Sequence, residues 1–147
     1  MGRPPQPYPA RAGLPAASPH LPVPDLPDEE RRDLTHLPAF AIDDEGNQDP
    51  DDALSWENGR LWVHIADVAA LIPPDSLLDL EARARGANLY LPEGTITMLP
   101  PIATQWLGLG LVELSPALSF GLDLGANGEV TELEIVPSWI HVHAVDL

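Results

Sequence analysis

The sequence predicts an α+β domain: a mixed or antiparallel β-sheet built of hairpins, carrying one or two short helices. Three observations carry that prediction. Asn58-Gly59 stands between the apolar-rich runs Ala53–Trp56 and Arg60–Ala66, and both turn residues tolerate the positive φ that a tight hairpin demands. A second pair of runs, Ala117–Leu124 and Glu129–Val136, flanks Gly125-Ala126-Asn127-Gly128. Between the hairpins, one segment has a helical start at Asp75 or Ser76 and a stop at Gly86.

Taken in order, the chain begins with a Pro/Ala-rich stretch. Half of its 18 prolines fall in the first 27 residues, and proline removes backbone donors and blocks helix. Residues 1–24 are therefore expected to form a disordered tail, with the folded domain over 25–147. The tail reads as a passive linker or as a polyproline II ligand for a partner domain. Asp25 to Asp33 reads as one polar helical turn, and the first core strand as Ala39 to Ile42. In the first hairpin, Trp62, His64 and Ala66 share one face of the second strand and Leu61, Val63 and Ile65 the other. His64 on such a strand is a metal ligand or a core residue with its ring nitrogens satisfied; the apolar setting favours the second. Asp67 follows, placed to orient a ligand or a water from outside the inner shell.

The helix from the Asp75 or Ser76 cap to about Arg85 offers Leu77, Leu78, Leu80 and Ala84 for burial, with Arg83 and Arg85 favouring its negative end. Ala87–Leu91 then reads as strand, turning through Pro92-Glu93-Gly94 into Thr95–Met98. Pro100-Pro101 opens a short helical or irregular passage. In the last hairpin Phe120, Leu122 and Leu124 alternate with Gly121 and Asp123, the pattern of a half-buried strand. Pro137 is expected to end it, with Ser138–Val145 starting another strand. His141 and His143 share a face there, as a metal pair lacking a third ligand or as residues of an edge strand.

Composition excludes several chemistries. With no cysteine, disulfides, thiol catalysis and Cys-ligated zinc are out. Trp106–Val112 is the longest apolar run, too short to span a bilayer, and the N-terminus lacks the order of a signal peptide. A soluble cytoplasmic protein with no membrane partner is expected. The formal net charge is −16, with no lysine, and after Arg85 no basic side chain other than histidine appears. Neutralising phosphates requires basic groups, so nucleic acid would have to be met through metal ions or another polypeptide.

The most informative stretch is IDDEGNQDPDDAL, Ile42 to Leu54. Asp43, Asp44, Glu45, Asp49, Asp51 and Asp52 crowd into it, with no Lys or Arg between Arg32 and Arg60. Two charges about 4 Å apart repel by ~1 kcal/mol in water and by ~4 kcal/mol at an effective dielectric near 20. Wide spacing in solvent, raised pKa values or a bound cation must offset that cost. An all-oxygen set suits Mg²⁺, Mn²⁺ or Ca²⁺ rather than zinc. An EF-hand loop counted from Asp43 would need Gly at 48 and Glu at 54, where Gln48 and Leu54 stand. The spacing is instead D-x5-D-x-D-D, with Gly46 and Asn47 suited to a turn that brings Asp49, Asp51 and Asp52 back toward Asp43.

That cluster, followed by HIADV (His64–Val68), YLPEGTITMLPP (Tyr90–Pro101) and LGLGLVELSPALSFGLDL (Leu107–Leu124), resembles the RNase II/RNase R family, the RNB-domain exoribonucleases. The resemblance covers about Leu26 to Ser138. It implies a partial RNB catalytic domain that hydrolyses single-stranded RNA, not DNA, from the 3′ end and releases nucleoside 5′-monophosphates. It implies Mg²⁺, with Mn²⁺ as a substitute, held directly by Asp43 and Asp52, with Asp49 at a second metal position. Asp51 becomes the indispensable catalytic carboxylate. Tyr90, which sequence alone leaves as a core, edge or base-stacking residue, becomes the one that packs on the 3′-terminal base. The family's later portion brings a second aromatic, a phosphate-binding arginine and a basic RNA channel, and Ile140 to Ala144 here replace its usual basic residues. The chain is thus expected to be the front part of an RNB domain: a truncated product, a fragment, or one half of a split enzyme completed by a second polypeptide. The alternative function is a non-catalytic metal-binding or interaction fragment.

Overall fold

The computed structural model describes residues 29–43, 50–92 and 94–146; the tail over 1–24 lies outside them. In chain order the elements are β1 (Arg32–Asp43), β2 (Asp52–Glu57), β3 (Arg60–Ala66), α1 (Val68–Leu71), α2 (Leu77–Arg85), β4 (Leu89–Leu91), β5 (Gly94–Ile96), α3 (Pro101–Leu107), β6 (Ser115–Leu124) and β7 (Val130–Asp146). The chain is mostly β with short helices. Among the described residues no helix is long and apolar enough to cross a membrane.

The sheet of hairpins closes into a barrel in the order β1-β2-β3-β6-β7. Four neighbouring pairs are antiparallel. Five is an odd number, so alternation around a ring leaves one pair pointing the same way, and β1 runs parallel to β7. β4 and β5 form a separate two-stranded ribbon.

A five-stranded barrel is narrow, and its bore must be filled by small side chains around a few large ones. Ala39, Ala41, Ala53 and Ala117 point inward beside Trp62 and Ile140, joined by buried Ser55, Ser119 and Ser138. Trp62 lies opposite Gly121, and a Cβ at Gly121 would come within 2.9 Å of the indole ring. One end of the bore is plugged by charge: Arg60 bonds Asp123 and Glu134 while stacking 5.7 Å over Trp62. A smaller core of Leu71, Ile72, Ala103 and Leu107 joins α1 to α3.

The first hairpin forms as expected, with φ of 50° at Asn58 and 89° at Gly59. Helix α2 also begins and ends where expected: the Ser76 hydroxyl accepts from Asp79 N–H, and Gly86 is left-handed at φ 79°. Its buried face differs, however. Leu77 and Leu80 are exposed, while Glu81 and Ala82 are buried, Glu81 being paired with Arg85 one turn on. Three further expectations are corrected. Strand β1 starts at Arg32, not Ala39, because residues 32–33 pair with Ser138 and Trp139, so no helical turn reaches Asp33. Among the described residues three short helices form rather than one or two, since Asp67 caps an extra four-residue turn. Pro137 does not end a strand: it lies inside the 17-residue β7, which pairs with β6 as far as Ile140 and with β1 from Ser138 onward.

Candidate active site

The end of β1 and the start of β2 leave the barrel at one rim. The register pairs Phe40 with Leu54; carried forward, the same antiparallel count sets Asp43 against Asp51. Residues 44–49 between them, Asp49 included, lie outside the described residues, as does the side chain of Asp43. The returning strand is fixed by backbone bonds. Ala66 N–H donates to Asp51 O at 2.9 Å, and Leu109 N–H donates to Pro50 O at 2.9 Å. Pro50 is buried by this clamp, while Asp51 and Asp52 stay exposed. Because strand side chains alternate, the two carboxylates diverge, Asp52 outward on the barrel and Asp51 to the other side.

Asp51 lines a cavity of about 230 Å³. Its walls are apolar (Ala66, Val68, Met98, Leu99, Leu107), with Asn88 and Thr104 as polar members. A cavity of ~150 Å³ already admits benzene, so this one has room for a single aromatic base. Asn88 holds the cavity to the β4–β5 ribbon. Its carbonyl accepts from Met98 N–H at 2.7 Å, and its amide donates to the Tyr90 hydroxyl at 3.3 Å. Arg85 fastens the same wall by donating to Met98 O at 3.0 Å. Tyr90 itself is 67% exposed. The structure therefore joins Asp51 to Tyr90 through one cavity and one amide.

Asn88 and Thr104 were not apparent in the sequence as site residues. Asn88 carried a usable signal, since position i−2 from Tyr90 on a strand faces the same way. Asp67 is tied up differently from the expectation. Its carboxylate takes a 2.8 Å bond from Arg31 and caps α1 at Ala70 N–H. The Arg31 side chain is buried, 5.5 Å over the Trp139 ring, and its Nε and Nη1 have no partner among the described residues.

His64 is no ligand. It is fully buried in the bore, with Nε2 2.9 Å from Ser55 Oγ and Nδ1 2.6 Å from Ser119 Oγ, and burial lowers its pKa to about 4. His141 bonds Glu113 O at 2.6 Å and His143 packs 5.8 Å from Phe40. Both lie on a strand paired with β1, so the edge expected there does not exist. Among the described residues no three His, Cys, Asp or Glu side chains converge to hold a metal. The donors nearest the rim are carboxylate, amide and hydroxyl oxygens, which fits a hard cation better than zinc.

An odd-stranded barrel carrying an acidic rim beside a base-sized cavity defines the class. The RNB domain family profile matches residues 31–145, and the chain belongs to that family. A ribonuclease of Synechocystis, described as uncharacterized, is 47% identical over 125 residues, 81% of this chain and 19% of that protein. Mycoplasma genitalium RNase R bound to ribose-methylated single-stranded RNA superposes with a TM-score of 0.70 at 26% identity, covering 78% of this chain and 19% of that one. Yeast Ssd1, a pseudonuclease, superposes at 0.63 with 26% identity over 78% of this chain and 15% of its own. The chain spans about one fifth of the length of the first two relatives.

Proposed function

We propose that this chain supplies the acidic, metal-holding part of an RNB-type exoribonuclease, one that hydrolyses single-stranded RNA from the 3′ end to nucleoside 5′-monophosphates. The observation that carries this reading is the cavity linking Asp51 to Tyr90 through Asn88. Asp43, Asp49, Asp51 and Asp52 are the proposed holders of Mg²⁺, or of Mn²⁺ in its place. When bound, such ions sharpen a water and stabilise the leaving 3′ oxygen. The chain's own residues do the positioning. Tyr90 offers a ring face to the terminal base, a contact of the kind worth ~1–3 kcal/mol. Asn88 holds that tyrosine's hydroxyl, and the apolar walls exclude water from the base. Asp51, at the cavity lining, faces the phosphate on the 5′ side of the seated base, as the indispensable carboxylate. A cytoplasmic location goes with this reading.

A second reading has its own support. Each of the five described arginines already pairs with a carboxylate, which leaves the phosphates of an RNA to other groups. On this reading the chain binds metal without turnover, as a non-catalytic RNB fragment. The test is single-stranded RNA degradation followed by 3′- and 5′-end labels, with Mg²⁺ titrated. Mg²⁺-dependent release of mononucleotides, lost in Asp51→Asn, supports hydrolysis; metal binding without turnover supports the second reading. Asp43→Asn and Asp52→Asn are each expected to weaken Mg²⁺ binding by roughly tenfold, ~1.4 kcal/mol, in calorimetry. Unchanged heats in both variants would remove these two aspartates from the metal site.

A further inference from the structure

The outer wall of the barrel is apolar where a solvated barrel is polar. Cross-strand register aligns its outward side chains in rows. Trp56, Leu61, Leu122 and Leu133 make one row across β2, β3, β6 and β7. Leu54, Val63, Phe120 and Ile135 make the next, and Phe40 of β1 extends it. Trp56, Leu133 and Ile135 are 57%, 58% and 51% exposed. A slip in register is no explanation, because the alternate positions Ser55, His64 and Ser119 are buried and hydrogen-bonded to one another inside. The alternation of Phe120, Leu122 and Leu124, which in the sequence looks like a core-facing pattern, belongs to this outer wall.

Contiguous apolar surface on this scale marks an interaction site. Charge selects the occupant. Among the described residues no lysine or arginine takes an outward position on β2, β3, β6 or β7, and acids stand at the borders: Glu57 on β2, Glu129 and Glu132 at the far hairpin. A second copy of the chain would set these acids against their equals. A surface with an apolar centre and a basic rim complements them. RNB relatives carry four-fifths of their length beyond the segment matched here. We infer that this wall docks against the polypeptide that RNB relatives carry beyond that segment, through a surface apolar at its centre and basic at its rim. The inference rests on family membership and not on hydrolysis, and its test contains no RNA.

The test co-expresses this chain with the Synechocystis relative from which the matched 125-residue segment has been deleted. The relative's own segment, supplied the same way, serves as reference. A 1:1 complex is expected, weakened at least roughly tenfold by joint Leu133→Lys and Ile135→Lys and unchanged by Trp106→Lys on α3, outside the wall. Failure to associate where the relative's own segment does, or a complex indifferent to the wall pair, overturns the inference. So does a discrete dimer of this chain alone that the wall pair dissolves, since that assigns the wall to a second copy. Should the deleted relative not fold, a single-chain chimera carrying residues 31–145 of this chain in place of that segment decides. The wall pair should then lower the chimera's Tm by about 5 °C or more and shift this chain's own Tm by under about 2 °C. Equal shifts, or a chimera that does not fold, overturn the inference.

Discussion

At the scale of single residues, the bore of the barrel shows how much one histidine can fix. Ser138 Oγ reaches Ala117 O at 3.3 Å and can only donate there, so Ser119 Oγ, 2.5 Å away, donates to Ser138. Ser119 is then left to accept from His64 Nδ1–H, and His64 Nε2 accepts from Ser55. The order of protons fixes Nδ1 as a protonated nitrogen, and with the ring neutral it runs one way from β2 to β7. Burial favours the same form, holding the pKa at about 4 against an ordinary 6.5. Above pH 6.5 both folded and unfolded chains carry a neutral ring and the contribution to stability is whole. As pH falls from 6.5 toward 4, the unfolded chain gains a proton that the folded chain refuses. Stability should then drop by about 1.4 kcal/mol per pH unit, ~3 kcal/mol in all. Urea unfolding at pH 7 and pH 4.5, read as the difference between wild type and His64→Asn, isolates this from the carboxylates. Identical pH dependence in the two proteins would mean that His64 titrates normally.

At the scale of elements, what was legible in the sequence was what local chemistry decides. Asn58-Gly59 set the first hairpin, and Ser76 with Gly86 set both ends of α2. Closure was not legible, because it depends on β1 and β7 meeting across the whole chain. Pro137 misled for the same reason. The β1 ladder begins only at Ser138, so at Pro137 one side of β7 has no neighbour and the missing N–H costs little. Nor could alternation alone reveal which face was inside: in a bore this narrow, Ala, Ser and Gly go in and Leu and Phe go out. Trp62 against Gly121 is the tightest expression of that rule. Gly121→Ala should destabilise by about 1–3 kcal/mol through overpacking, although the backbone there needs no positive φ. Pairing it with Trp62→Leu should recover part of the loss, since the smaller side chain vacates the contact. A double-mutant cycle by thermal unfolding measures both, and strict additivity would show that the ring already has room to move.

At the scale of the whole molecule, charge and shape pull against each other. An acidic rim, a base-sized cavity and an exposed tyrosine suit RNA, yet the net charge is −16 and the five described arginines are spent on ion pairs. The aspartate spacing made the family legible, and the charge made the dependence on outside cations legible. The identity of the cavity walls was not, since Asp51, Asn88 and Thr104 are brought together only by the fold. A conventional RNA-binding surface releases counterions from the phosphates it neutralises, and its affinity falls with salt at a slope of about −0.7 for each single-strand contact. This chain has few groups that can do so. In EDTA its binding to a fluorescent single-stranded RNA should therefore be weak, with a log–log salt slope shallower than about −1. Adding Mg²⁺ at constant ionic strength should strengthen it, because the cation then stands where a lysine stands elsewhere. Anisotropy titrations across a KCl series, with and without Mg²⁺, decide the matter. A steep slope in EDTA would mean that arginines leave their carboxylate partners to meet the RNA, and the acidic rim would not then depend on metal to hold it.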